Sequence, residues 1–221
     1  MTRKERYIRL PIIVFLLLCS INPVDSFAAK KKPNKKKASA SSNKGFGAAP
    51  PTVEEVAAKF KTRLPENAGS LPCPCGVSGA LYSNCCQPYH LGTKSVETPL
   101  RVLQTRYSAF CYRLVPFIIQ TTHPTCRDYK ENKVTWAKDL NREGMFDSTE
   151  FVELIPGETQ GDDEKATLEF QVRMRSKDGE KSETVVSEKS VFLRDAKGLW
   201  SYSTGEVRSQ AAGLEDAILN P

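Results

Sequence analysis

The sequence predicts an α+β fold in which helices come first along the chain and an antiparallel sheet follows. Between residues 98 and 140 apolar side chains recur at helical spacing, whereas from residue 146 onward they alternate at period two. An Asp178-Gly179 pair lies between two alternating stretches and is a hairpin signal. Helices followed by consecutive strands are typical of domains in which helices pack on an antiparallel sheet.

The first helix is predicted over Thr52–Arg63, where Thr52 and Glu55 have the spacing of a capping box. Pro65 ends this helix, and residues 64–72 form a linker.

A longer helix begins at Thr98, with Pro99 at its first position, a place that suits proline. Its apolar face contains Val102, Leu103, Tyr107 and Phe110. A break at residues 114–116 separates it from a second helix, which holds Phe117, Ile118 and Ile119. A third, short helix is predicted over Lys133–Leu140.

The strands are predicted at Phe146–Pro156, Ala166–Arg175, Ser182–Arg194 and Leu199–Thr204. In the second of them Leu168, Phe170, Val172 and Met174 share one face. The polar stretch Gln160–Lys165 and the pair Lys197-Gly198 are turns. Residues beyond Glu206 predict at most a marginal helix, so residues 207–221 are interpreted as a tail.

The chain starts with a segment that is typical of a signal peptide. A basic start is followed by the apolar run Leu10–Ile21, which is too short to span a bilayer, since a spanning helix needs about 20 residues. Small residues, Val24 and Ser26, precede a candidate cleavage site at Phe27. We therefore expect residues 1–26 to be a signal peptide, and no membrane span in the mature chain.

Residues 27–53 form a basic segment without any acidic residue, rich in Lys, Ala and Ser. Such a composition favours disorder and is also typical of organellar transit peptides. A signal peptide, a cut before Phe27 and a transit-like stretch together resemble the bipartite presequence of algae with complex plastids. This resemblance implies a plastid location, and ordinary secretion is the alternative.

Positive charge is concentrated in the same region. Residues 1–44 hold 11 of the 32 Lys and Arg residues and only 2 of the 26 Asp and Glu residues. The rest of the chain is therefore mildly acidic, and the sequence predicts no nucleic-acid partner.

Four cysteines lie within fourteen residues, at Cys73, Cys75, Cys85 and Cys86. Four thiolates can form a closed tetrahedral metal site. Disulfides are the alternative, because removal of Cys19 with the signal peptide leaves an even number of cysteines. Free thiols are the third possibility.

The segment from Cys73-Pro74-Cys75-Gly76 through Ser78-Gly79 and Tyr82 to Cys85-Cys86 resembles the SEC-C motif, a small zinc module. The resemblance implies that residues 71–92 form a zinc module with Cys73, Cys75, Cys85 and Cys86 as ligands. Nine residues separate Cys75 from Cys85, where the usual motif has eight.

Further motifs follow the module in the order found in the YchJ-like family. They are Pro88-Tyr89-His90, Arg106-Tyr107-Ser108-Ala109, Thr122-His123-Pro124 and Gly198-Leu199-Trp200. The resemblance implies a SEC-C module before a cone-shaped domain of the nuclear-transport-factor-two (NTF2) type, here residues 93–206. That family has no agreed activity, so the resemblance implies a fold and a metal but no reaction.

Three functions are compatible with these patterns. The leading hypothesis is a zinc-stabilised, non-enzymatic protein that binds another protein through its module. The second is a small-molecule-binding or enzymatic cone with a pocket near Arg106, His123 and Trp136, and the third is a secreted disulfide protein. No catalytic residues or organic cofactor are predicted. His90 is expected to order the module's loop, and Cys111 and Cys126 to behave as small apolar residues.

Overall fold

The computed structural model describes residues 50–76, 79–142, 149–177 and 183–212. The predicted signal peptide, the basic segment up to residue 49, the Asp178-Gly179 hairpin and residues 213–221 of the predicted tail lie outside the described residues. Among those that are described, no helix is both long and apolar enough to cross a bilayer.

The helices are α1 (Val53–Ala57), α2 (Gln87–His90), α3 (Pro99–Tyr112), α4 (Val115–Gln120) and α5 (Lys133–Arg142). The strands are β1 (Thr149–Gly161), β2 (Lys165–Ser176), β3 (Glu183–Arg194) and β4 (Trp200–Ala212). The strands form one antiparallel sheet in the order β1-β2-β3-β4. The predicted α+β class is therefore confirmed.

The capping box at the start of α1 is present, but the helix is shorter than predicted. The Thr52 hydroxyl accepts a hydrogen bond from the Glu55 amide, and the Glu55 carboxylate accepts one from the Thr52 amide. The helix ends at Ala57 instead of Arg63. Beyond it the Arg63 amide donates to the Tyr112 carbonyl at the end of α3, so a tertiary hydrogen bond overrides the helical preference of residues 58–63.

The predicted break between the two central helices lies where α3 ends. Thr98 caps α3 by accepting a hydrogen bond from the Arg101 amide, as its position predicted. Arg113 has a left-handed backbone with φ of 58°, which stops the helix, and the chain turns directly into α4.

Two strands extend well beyond their predicted ends. β1 continues to Gly161, and the Asp162 carboxylate closes a tight turn by accepting hydrogen bonds from the amides of Glu164 and Lys165. β4 runs to Ala212, so the prediction of a non-strand tail was wrong for residues 207–212. Pairing with β3 extends this strand, whereas the polar sequence of residues 206–212 gives no period-two signal.

The helices and the inner face of the sheet enclose one apolar core. On β2 Leu168, Phe170, Val172 and Met174 are buried, and the alternation predicted for this strand is confirmed. Bulges in β1 and β4 bend the outer strands. The four clustered cysteines belong to the same continuous core as α3 and the sheet. The cysteine module is therefore packed onto the domain and is not a separate unit.

Candidate metal centre

A short hairpin brings the first two clustered cysteines toward the other two. Pro72 and Leu81 pair as antiparallel neighbours, and the Cys73 amide donates to the Ala80 carbonyl over 2.9 Å. Between these residues Gly76 and Gly79 have φ of 66° and 62°, a region that side chains other than glycine disfavour. The chain then makes one 3₁₀ turn at Tyr82–Asn84 and places Cys85 and Cys86 opposite the hairpin.

The four Sγ atoms of Cys73, Cys75, Cys85 and Cys86 all lie within 4.8 Å of one another. The Cys75–Cys85 separation is 3.5 Å and the Cys85–Cys86 separation is 3.9 Å. A tetrahedral zinc ion with Zn–S bonds of about 2.3 Å requires S···S distances of about 3.8 Å. The thiols fit such an ion, so the cluster can bind a metal, and the longer Cys75–Cys85 spacing does not prevent the sulfurs from converging.

The disulfide alternative is not the arrangement found in the structure. All six described cysteines are free thiols, and the Sγ atoms of Cys75 and Cys85 are far beyond the S–S bond length of about 2.05 Å. Each cysteine of the cluster is at most 5% exposed.

Helix α3 supplies polar groups on one side of the cluster. The Ser108 hydroxyl lies 3.2 Å from Cys86 Sγ and 3.7 Å from Cys73 Sγ. Cys86 Sγ is also 3.7 Å from the Gln104 carbonyl oxygen, and Arg101 Nη1 is 3.8 Å from Cys85 Sγ. These α3 residues carry no metal-site signal in the sequence, and their only shared pattern is helical spacing.

The close approach of the thiols shifts their pKa values in opposite directions. Hydrogen bonds from the Cys75 and Cys86 side chains hold the pKa of Cys73 far below its usual range. The hydrogen bond with Cys73 raises the pKa of Cys75 to about 12 and raises that of Cys86 as well. The thiols therefore differ in how readily they give up a proton, and because a metal ion binds thiolates, its binding to the cluster releases protons.

His90 orders the module through two hydrogen bonds. Its Nε2 lies 2.9 Å from the Thr105 carbonyl oxygen, which can only accept, so Nε2 carries the proton. Its Nδ1 is then the acceptor for the Tyr82 hydroxyl at 2.7 Å. Burial lowers the pKa of His90 and favours this neutral form. Both ring nitrogens are thus engaged in joining α2, the cysteine loop and α3.

Within the part of the chain that the structure describes, Arg106 and His123 of the expected pocket line different cavities, and Trp136 is buried. Arg106 lies at the centre of the domain and lines a cavity of about 10 Å³, enough for roughly one water molecule. His123 lines a surface groove of about 720 Å³ between the module, α4 and the β3–β4 turn. Trp136 is 3% exposed and is a core residue.

Sequence reasoning did not find the other charged residue of the central cavity, Glu188, which is 2% exposed and accepts a hydrogen bond from Ser190. The sequence does contain a signal for Glu188 in the alternation of β3. Alternate residues of this strand are buried, and they are Val186, Glu188, Ser190 and Phe192. A Glu and a Ser in the middle of an apolar inward-facing series mark a polar spot inside the domain.

Comparison with known proteins places this arrangement in a family. Residues 98–205 match the family model described as the middle, NTF2-like domain of YchJ. A UPF0225 protein from Deinococcus radiodurans is 31% identical over 131 residues, which are 59% of this chain and 85% of that protein. The chain belongs to the UPF0225 family. The predicted YchJ-like membership and NTF2-like fold are thereby confirmed.

Solved structures support the fold of this UPF0225 chain. The solution structure of a SEC-C motif containing protein from Rhodopseudomonas palustris is 31% identical, with a TM-score of 0.52, and the match covers 63% of this chain and all of that one. The crystal structure of a SEC-C motif containing protein from Psychrobacter arcticus is 23% identical, with a TM-score of 0.50, and the match covers 67% of this chain and 87% of that one. At this identity the likeness shows the fold alone.

Proposed function

We propose that this chain is a zinc-stabilised, non-enzymatic protein that binds another protein, and that Cys73, Cys75, Cys85 and Cys86 hold one zinc ion. The observation that carries the proposal is the convergence of four buried thiols to within 4.8 Å. Four protein thiolates complete the tetrahedral coordination of zinc and leave no position for water or substrate. Such an ion stabilises the fold and takes no part in a reaction.

The interior of the domain favours the same conclusion over a small-molecule or enzymatic site. The central cavity next to Arg106 has a volume of about 10 Å³. A pocket for a small molecule usually has several hundred cubic ångströms, about 300 or more. The cone is filled by its own side chains, so a pocket for a metabolite is not supported at this position.

The module is the proposed surface for the protein partner, since it presents two large apolar side chains to solvent. Leu91, which follows α2, is 68% exposed, and Leu81, which precedes the 3₁₀ turn, is 43% exposed. Burying such a side chain contributes about 1.5–3 kcal/mol. A partner that covers these residues would gain this energy while the metal holds the loop in shape.

Site-specific photocrosslinking in extracts of the native organism tests this surface. A benzoylphenylalanine at Leu81 or Leu91 is expected to give a discrete crosslinked adduct, which is lost when Cys86→Ser removes a metal ligand. The matched control is Ile155 on β1, which is also 43% exposed but lies on the sheet. Equal adducts from Ile155, or none from the two leucines, would show that the module is not the binding surface.

We further propose that residues 1–26 and 27–53 deliver the protein to a plastid. A fluorescent reporter fused to residues 1–52 is expected to enter the plastid of an alga with complex plastids. The control carries residues 27–52 only and should stay in the cytosol, because it lacks the signal peptide. Secretion of the full fusion to the medium would replace the plastid proposal with the secretory one.

A further inference from the structure

One face of α3 is turned toward the cysteine cluster. Four residues of this face are spaced three, one and three positions apart, and this spacing places residues on one side of a helix. They are Arg101, Gln104, Thr105 and Ser108. Three of these residues approach the sulfurs, and the carbonyl of Thr105 accepts the hydrogen bond from His90. The opposite face, with Val102 and Phe110, is buried in the core of the domain.

Ser108 is the buried hydroxyl of this face. It is 0% exposed and lies 3.2 Å from Cys86 Sγ, 3.7 Å from Cys73 Sγ and 3.1 Å from the Gln104 carbonyl oxygen. The hydroxyl of Ser108 is in place to donate to Cys86 Sγ, and a hydrogen bond to a charged, metal-bound sulfur is about twice as strong as one between neutral groups.

Arg101 brings positive charge to the other end of the cluster. Its Nη1 lies 3.8 Å from Cys85 Sγ, and its guanidinium stacks 5.3 Å from the centre of the Tyr89 ring. A divalent ion held by four thiolates leaves two negative charges in a buried site, and buried charge is costly unless it is compensated. The guanidinium, held in place by Tyr89, partly compensates that charge.

We propose that Arg101 and Ser108 set how tightly the cysteine cluster retains its metal, Ser108 by donating a hydrogen bond to sulfur and Arg101 by balancing charge. This inference rests on the proposed zinc site and assigns a role to two residues that are not ligands. Substitution of such outer partners typically lowers metal affinity about 10- to 100-fold.

Zinc transfer from the full chain to the chromophoric chelator 4-(2-pyridylazo)resorcinol tests the proposal. Ser108→Ala and Arg101→Gln are each expected to release zinc at least about tenfold faster than the unsubstituted chain. Arg101→Lys should retain most of the effect of Arg101. Raising the salt concentration should shrink the difference between Arg101→Gln and the unsubstituted chain, because salt screens a half-buried charge, and should leave the Ser108→Ala difference in place.

Two matched controls separate these effects from general destabilisation. Ser203→Ala removes another buried hydroxyl, one that bonds to Thr125 instead of to a sulfur of the cluster, and Arg127→Gln removes an exposed charge. Both are expected to release zinc at the rate of the unsubstituted chain. Cobalt(II) substitution should give the same thiolate-to-metal absorption band in all variants, since the four ligands are unchanged.

The outcomes distinguish this inference from the zinc site on which it rests. If the unsubstituted chain holds no zinc, both are overturned. If it holds one zinc and both Ser108→Ala and Arg101→Gln release it at the unsubstituted rate, only the role of the outer residues is overturned. If Ser108→Ala does not fold, the comparison of Arg101→Gln with Arg101→Lys decides, because Arg101 is half-buried at the surface and its substitution leaves the core intact.

Discussion

Removing the metal with a chelator is expected to lower the free energy of unfolding by about 4 kcal/mol, the value for a ligand present at a thousand times its Kd. The reason is that the four sulfurs converge only in the folded chain, so the free energy of metal binding adds to that of folding. For a domain of this size, such a loss corresponds to a fall in Tm of about 10 °C. Urea denaturation with zinc or with chelator measures it.

Hydrogen exchange should show which part of the chain loses stability when the metal is removed. Since the cysteines share one core with α3, hydrogen exchange is expected to quicken across residues 71–92 and along α3 when the metal is removed. The central strands β2 and β3 should change least, because they pair with strands on both sides.

Cysteine substitutions provide the matched comparison. The purified chain should contain about one zinc, and Cys86→Ser, at a position that is 0% exposed and within the cluster, should lose it. Cys126→Ser replaces a cysteine that is also buried but lies outside the cluster, and should keep its zinc. An unchanged urea midpoint in the presence of chelator, or disulfides among the four cysteines in mass spectra, would contradict the metal site.

Local patterns predicted the parts of the fold that local physics determines. The capping box at Thr52 and Glu55 and the alternation along β2 lie where the sequence places them, because each depends on residues close together in the chain. The cysteine cluster was predictable for the same reason, since four thiols within fourteen residues need only one hairpin to meet.

Long-range contacts determine what the sequence did not predict. The last turn of α1 is replaced by a hydrogen bond from Arg63 to Tyr112, nearly fifty residues away. The extension of β4 depends on pairing with β3. Ser108 and Arg101 carry no metal-ligand signature, and only the packing of α3 on the module brings them to the sulfurs.

Replacing Arg106 with Met is expected to destabilise the domain by about 3–5 kcal/mol, the usual cost of breaking up a buried set of charges. Arg106 is 4% exposed, and its Nη1 lies within 3.0 Å of the Ile118 carbonyl and of the hydroxyls of Thr121 and Thr122. Its guanidinium also stacks 4.8 Å from the centre of the Tyr202 ring. The substitution removes these hydrogen bonds from α4 and the following turn. Urea denaturation, with an unchanged m-value, measures the effect.

The carboxylate of Glu188 explains why the expected loss is so large. It lines the same cavity as Arg106 and is 2% exposed, so removing the guanidinium takes away a positive charge close to a buried negative one. The double variant Arg106→Met/Glu188→Gln is therefore expected to be more stable than the sum of the single effects predicts, by about 1 kcal/mol or more.

The control is Arg127→Met, at an exposed position, which should change the free energy of unfolding by no more than about 0.5 kcal/mol. A loss below about 1 kcal/mol for Arg106→Met, or strict additivity in the double variant, would mean that the two charges do not stabilise each other. The shape of the cone would then depend on apolar packing alone.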